Sequence, residues 1–311
     1  MSRTLVIATR ESPLALWQSN FVKSEIQALK PDWRIELLGM TTTGDRFLEQ
    51  PLSELGGKGL FVKELEKALI EHQADLAVHS MKDMPMLLPE GLALAAILKR
   101  GNPWDALVSH RYKSLSDLPQ NAVVGTSSLR RQAQLLWLRP DFQIKNLRGN
   151  VQTRLKKLEQ GEYDAIILAS AGLERLGLFS SITEVLTLDQ MCPATGQGAI
   201  GIECRAEDAT LRALLDQLND RWTYWAVMAE RALNEALGGS CHFPIASFAK
   251  CDEYNLQMIA RVGAKDGSAL LESCETILFK SSAPILEQVV SLGLAMAHTL
   301  KSQGADALIH G

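Results

Sequence analysis

The 311 residues carry 32 Lys and Arg against 36 Asp and Glu, a formal net charge of −4 that argues against nucleic acid as the main partner. Apolar residues make up 46% and charged residues 22%, the balance of a globular chain of two or three domains. No apolar run approaches the roughly 18 to 20 residues of a membrane span. The start offers no signal-peptide layout, and the five cysteines form no CxxC pair, so the expectation is a cytoplasmic protein with reduced thiols and no metal.

Leu5 to Thr9 reads as a buried strand. Ser12-Pro13 comes next, an N-cap hydroxyl with proline at the first helical position, and Leu14, Trp17, Phe21 and Leu29 then carry a helical stripe. Arg34 to Thr41 returns to strand, and 61–71 is helical, with Phe61, Leu65, Ala68 and Leu69 on one face. Leu76 to His79 is a short strand running into the loop Ser80-Met81-Lys82-Asp83-Met84-Pro85. After Gly101-Asn102-Pro103 the alternation restarts, with strands at 122–125, 143–147 and 165–169 and helices at 128–138 and 151–159. Such alternation predicts α/β layers around mostly parallel sheets, with ligands beyond the C-terminal strand ends. Asp83, Thr126 and Arg148 all fall at such ends.

From about Trp222 the character changes. A helix runs to about Leu237, then comes Gly238-Gly239-Ser240-Cys241. Strand-like runs near 245–249, 256–262 and 270–278, an Asp266-Gly267 turn and a last helix over 284–301 read as a small α+β domain.

Three basic clusters stand out against the acidic balance: Arg130 and Arg131 in Gly125-Thr126-Ser127-Ser128-Leu129-Arg130-Arg131, Arg148 in Leu147-Arg148-Gly149-Asn150, and Arg154. Each sits where a strand-like run gives way to a helix-like one, and unpaired N–H groups and the helix dipole favour anions there. Hydroxyls and guanidinium forks suit carboxylates or phosphates. Asp83, beside Lys82, can stay ionised and stabilise a cation or accept N–H bonds; its bland reading is a turn cap. His79 reads as a core histidine. Gly56-Gly57-Lys58-Gly59 lacks phosphate-loop spacing and reads as a lid or plain loop, and 193–198 as a close backbone approach, a hinge or a turn. Cys241, in a glycine-rich loop before His242, reads either as an exposed thiol with a raised thiolate fraction or as a buried, inert one, and the other four cysteines read as inert.

Taken together, the chain resembles the porphobilinogen deaminase (hydroxymethylbilane synthase) family of tetrapyrrole synthesis. The stretches that carry the resemblance are 8–15, Gly56-Gly57-Lys58-Gly59-Leu60-Phe61, Val78-His79-Ser80-Met81-Lys82-Asp83-Met84-Pro85, 125–132, Leu147-Arg148-Gly149-Asn150-Val151, Gly196-Gln197-Gly198-Ala199, and Glu230-Arg231 leading to Cys241. The resemblance implies two periplasmic-binding-protein-like α/β domains plus a smaller C-terminal α+β domain. Domain 1 would be discontinuous, 1–98 with 198–217; domain 2 would span 103–193; domain 3, 221–311, would carry the cofactor cysteine.

It further implies a dipyrromethane cofactor held by a thioether to Cys241. The cofactor would serve as primer for stepwise addition of four porphobilinogens with loss of ammonia, before water releases hydroxymethylbilane for porphyrin and heme synthesis. Asp83 falls at the family's catalytic aspartate. Ser12, Lys82, Thr126, Ser128, Arg130, Arg131 and Arg148 match cofactor-binding positions; Arg10, Ser127, Arg148, Arg154, Arg175 and Gln197 match substrate-binding ones. Every pyrrole brings an acetate and a propionate, which gives so many arginines a purpose. The implied partner is porphobilinogen alone, with no nucleic acid or membrane, and the expected state is a monomer. Ser240 and Phe243 flank Cys241 where many relatives have glycine and a small or β-branched residue, and 101–105 is less charged than in many relatives. Two other readings compete: a two-lobed carboxylate-binding protein without catalysis, and a phosphate- or nucleotide-binding enzyme.

Overall fold

The computed structural model describes residues 4–42, 62–239 and 243–310. In chain order the first stretch gives β1 (Thr4–Arg10), α1 (Pro13–Leu29), β2 (Arg34–Met40), α2 (Lys63–Ile70), β3 (Leu76–Ser80) and β4 (Leu92–Ile97). The next gives β5 (Asp105–Val108), β6 (Val123–Gly125), α3 (Leu129–Leu138), β7 (Gln143–Lys145), α4 (Val151–Glu159), β8 (Ala165–Ala169), α5 (Ser170–Arg175) and β9 (Glu184–Val185). The last gives β10 (Ile200–Arg205), α6 (Ala209–Leu215), α7 (Arg221–Ala236), β11 (Ile245–Cys251), β12 (Asn255–Gly263), β13 (Leu270–Leu278), α8 (Ile285–Ser302) and α9 (Ala305–His310). The chain divides into two compact units, Met1–Arg100 with Ala199–Tyr224, and Gly101–Gly198 with Trp225–Gly311.

The first unit holds a five-stranded sheet in the order β2-β1-β3-β10-β4. β1 runs parallel to β2 and β3, while β10 is antiparallel to β3 and β4. Side chains alternate across a strand, so Leu5 and Ile7 of β1 meet Val22 and Ile26 of α1 on one face. Ala8 meets Leu65, Ala68 and Leu69 of α2 on the other. α1 starts as its sequence suggests: Pro13 is the first residue and Ala15 N–H donates to Ser12 Oγ at 3.4 Å. Phe61, expected on the face of α2, lies outside the described residues.

The second unit repeats the plan in the order β7-β6-β8-β5-β9, with β6 parallel to β7 and β8 and β5 antiparallel to β8 and β9. Leu135 of α3 joins Leu107, Val124 and Ile167 in one core. Leu158 of α4 and Leu173 of α5 join Ala106, Ile166 and Leu168 in the other. The expectation of mostly parallel sheets needs correcting, since half the pairings in each sheet are antiparallel. A helical crossover returns a strand parallel, whereas β5 and β10 enter their sheets with no α-helix immediately before them.

The remainder of this unit is the antiparallel sheet β11-β12-β13, packed with α7, α8 and α9 through Leu233, Leu237, Leu256, Met258, Val289, Met296 and Leu300. It is stitched to the rest of the unit. Glu230 of α7 accepts Gly196 N–H at 2.6 Å and Ala249 N–H at 2.8 Å, and Arg261 donates to the carbonyls of Leu188 and Asp189. The layers are therefore α/β in both units plus an α+β portion. Among the described residues no helix is long and apolar enough to cross a membrane.

Candidate functional site

In the first unit, β1 and β3 are parallel neighbours, so the residues just beyond their C-terminal ends share one edge of the sheet. β1 ends at Arg10 and leads to Ser12; β3 ends at Ser80 and leads to a 3-10 turn, Met81–Asp83. The turn is pinned from both sides. Met81 and Met84 are buried, Met81 N–H donates to Ala199 O at 3.0 Å, and a Cβ at Gly201 would overlap the Met81 sulfur and crowd that of Met84. The strand end before it is held by Gln18, whose amide exchanges two hydrogen bonds with the Ser80 hydroxyl, at 2.9 and 3.2 Å. Asp83 thus projects from a fixed backbone. Its half-buried carboxylate has no hydrogen bond or ion pair among the described residues.

Behind the strand, His79 Nε2 lies 2.9 Å from Glu203 Oε2, both buried, which is the core role expected of this histidine. Glu66 of α2 completes the cluster. Burial, then the charge of Glu203, pushes its carboxyl above the usual range, against the pull of His79 and Lys63.

In the second unit, Thr126 and Arg148 lie just past the C-terminal ends of the parallel pair β6 and β7. Thr126 Oγ1 accepts Ser128 N–H at 3.1 Å, and Ser128 Oγ accepts Arg131 N–H at 3.5 Å, capping α3. Both hydroxyls keep a proton to donate. Ser127 does not: a hydroxyl has one O–H, and Ser127 donates it to Leu147 O. Arg148 is 8% exposed, and burial holds its guanidinium below the usual arginine range. Gly149 adopts φ +110°, where a Cβ would press on Thr153, and Asn150 caps α4 by accepting Thr153 N–H at 2.9 Å. Arg154 Nε donates to Gly149 O at 2.8 Å, so the two arginines belong to one turn.

Arg130 and Arg131, at 4% and 6% exposure, point inward onto Asp105. Sequence reasoning did not single out Asp105; an acid opening the apolar run Asp105-Ala106-Leu107-Val108 was the available signal. Burial pushes its carboxyl up, but the two arginines and their hydrogen bonds outweigh that and hold it far below the usual range. Gln197 donates to Pro103 O at 2.6 Å and to Asp105 at 3.2 Å. Arg175 donates to Gly198 O at 2.7 Å, and burial, opposed by Glu174, brings its guanidinium down to about 10. Gly198 adopts φ +88°, and a Cβ there would press on the Gly101 and Asn102 carbonyls at 2.9 Å. The structure shows 193–198 as a turn, with Gln197 N–H donating to Ala194 O at 2.9 Å, which also brings the Gly198 backbone close to Gly101 and Asn102.

Cys241, like Ser240 and the segment 43–61 that contains Gly56-Gly57-Lys58-Gly59, lies outside the described residues. Burial pushes the Cys192 and Cys251 thiols up to about 12 and Cys204 up to about 11, away from thiolate chemistry. Guanidinium and hydroxyl donors suit carboxylates, and a carboxylate acceptor suits N–H groups. On the second unit the buried Arg130 Nε has no hydrogen-bond partner, and on the first the Asp83 carboxylate has none among the described residues.

Two family models match. Residues 5–213 match "Porphobilinogen deaminase, dipyromethane cofactor binding domain", and residues 224–302 match "Porphobilinogen deaminase, C-terminal domain". Solved structures similar to the chain include a nutrient binding protein from Burkholderia cenocepacia bound to methionine (16% identity, 68% of this chain and 90% of that chain, TM-score 0.43). Others are the methionine binding protein MetQ (12%, 71% and 92%, 0.45) and a probable amino-acid ABC transporter extracellular-binding protein from Bacillus subtilis (14%, 70% and 90%, 0.41).

Proposed function

The chain belongs to the porphobilinogen deaminase family, and we propose that it joins four porphobilinogens head to tail onto a dipyrromethane primer on Cys241, expelling ammonia, then frees hydroxymethylbilane by hydrolysis. When bound, the primer supplies a tethered pyrrole end to extend. The observation that carries the reading is Asp83, a half-buried carboxylate on a pinned turn, unengaged among the described residues. A fixed, partly desolvated carboxylate accepts pyrrole N–H bonds and stabilises the cation that develops as ammonia leaves. It also serves to hold a proton during transfer.

Lys82, Arg10 and Ser12 sit at the same sheet edge and would hold acetate and propionate groups there. On the second unit Arg148, Arg154 and Arg175 would do the same for the growing chain, with the O–H groups of Thr126 and Ser128. Charge-assisted bonds of about 1.5–3 kcal/mol each suffice, when several act together, to retain intermediates. The three-domain division at 1–98 with 198–217, 103–193 and 221–311, and a cytoplasmic monomer, belong to the same proposal.

Intact-protein mass spectrometry with a porphobilinogen turnover assay tests it. The expected result is an added mass of two linked pyrroles on the peptide containing Cys241, together with ammonia release. Turnover by unmodified protein would overturn the primer assignment, and modified protein without turnover would overturn the activity.

A further inference from the structure

Asp105 opens β5 with a carboxylate that is fully buried. Its Oδ1 accepts Arg131 Nε at 3.0 Å, Arg131 Nη2 at 2.7 Å and Gln197 Nε2 at 3.2 Å. Its Oδ2 accepts Arg130 Nη1 at 2.8 Å. The forks are fixed at a second point as well, because Arg130 Nη1 donates to Cys192 O at 2.6 Å and Arg131 Nη1 to Ile167 O at 2.8 Å. Three residues named above as ligand-holding therefore converge on one acid outside that set.

Two guanidiniums share the one carboxylate of Asp105 in a dry place, and an incoming carboxylate would supply a second acceptor there. Arg130 Nε, buried and without a partner, is an N–H left to receive it. We propose that Asp105 is a positioning residue, which locks the Arg130 and Arg131 forks and sets this corner to receive one ligand carboxylate. The identity of that ligand rests on the functional reading above; the locking does not.

The experiment separates the two. Protein labelled with 15N-arginine is purified with whatever primer it carries, and the Nε–H signals of Arg130 and Arg131 are assigned with Arg130→Lys and Arg131→Lys. In Asp105→Asn both signals should shift and lose protection from exchange. KM for porphobilinogen should rise about tenfold or more while kcat stays within about threefold. Unchanged signals with a wild-type KM, in folded Asp105→Asn, would overturn the assignment.

Asp105→Asn alone leaves two buried charges and can fail to fold, so Asp105→Asn/Arg131→Met is compared with Arg131→Met. Removing the acid should shift the Arg130 Nε–H signal and raise KM about fivefold or more in that background. An unmoved signal with equal KM values would again overturn it. Wild-type protein lacking both the two-pyrrole mass and turnover would sink the functional reading instead, and the arginine signals would still decide for or against Asp105.

Discussion

Asp83, in the turn after β3, and Asp105, at the head of β5, carry the same side chain in opposite surroundings. Asp105 is fully buried and saturated, with two guanidiniums and an amide on its oxygens. Asp83 is half-buried on a backbone held by two buried methionines, with no partner among the described residues. A buried charge left unpaired is expensive, so Asp105 must be answered from within the fold. A half-exposed acid is solvated and can wait for a ligand. The partners, rather than the residue type, separate the acid that is paired within the fold from the acid with no partner among the described residues.

Asp83→Asn bears hardest on that contrast. It removes the charge and keeps the shape, so turnover should fall by about two to four orders of magnitude. The melting temperature should move by no more than about 2 °C, and the two-pyrrole mass should remain. Near-normal turnover would return Asp83 to the status of a turn residue. Asp105→Ala should do the reverse, costing about 3–5 kcal/mol in urea unfolding because it strands two buried guanidiniums. A depressed carboxyl contributes stability above its unfolded pKa and loses it as pH falls toward its folded one. The difference between wild type and Asp105→Ala should therefore be full at neutral pH and shrink below about pH 4. A difference that stays constant down to pH 2 would mean lost packing rather than lost charge.

Legibility in the sequence obeys the same division between local and distant partners. The Ser12-Pro13 start of α1 and the strand ends before Asp83, Thr126 and Arg148 are local patterns, and all can be read from neighbouring residues. β4, β5, β9 and β10 do not read as strands from their residues alone. β5 and β9 are short, at four and two residues, and β10 pairs with residues more than a hundred positions away, at His79 and Leu94. Periodicity gives a face but no partner. The return of the chain to the first unit over Ala199–Tyr224 has no signal in periodicity. Arg130 and Arg131 are visible as a basic pair, yet nothing local reveals that an acid 25 residues earlier turns both inward.

Arg148→Ala extends the contrast to the cations. Arg148 stands on the Gly149–Asn150 turn rather than in the Asp105 cluster, so removing it should weaken ligand holding more than folding. Loss of one charge-assisted carboxylate contact, about 1.5–3 kcal/mol, predicts primer loading or KM impaired by about ten- to a hundredfold. The unfolding free energy should change by less than about 1 kcal/mol. Normal elongation with a large loss of stability would make Arg148 a structural residue like Arg131.

Glu66 is the intermediate case, and the smallest effect is expected there. It is buried like Asp105 but faces the charge of Glu203, and one oxygen of each acid lacks a hydrogen bond. His79 and Lys63 pull the other way and do not win. With its folded pKa raised, Glu66 costs nothing below its unfolded pKa, and stability is lost as pH rises through the folded value. Glu66→Gln removes the charge and keeps the volume, so it should stabilise the protein by about 1 kcal/mol at pH 7. That gain should fade toward about pH 4, where the wild-type acid is already protonated. Urea midpoints at the two pH values measure it. A loss at pH 7 would show that the Glu66 charge is answered after all, which would move this cluster to the Asp105 side of the comparison.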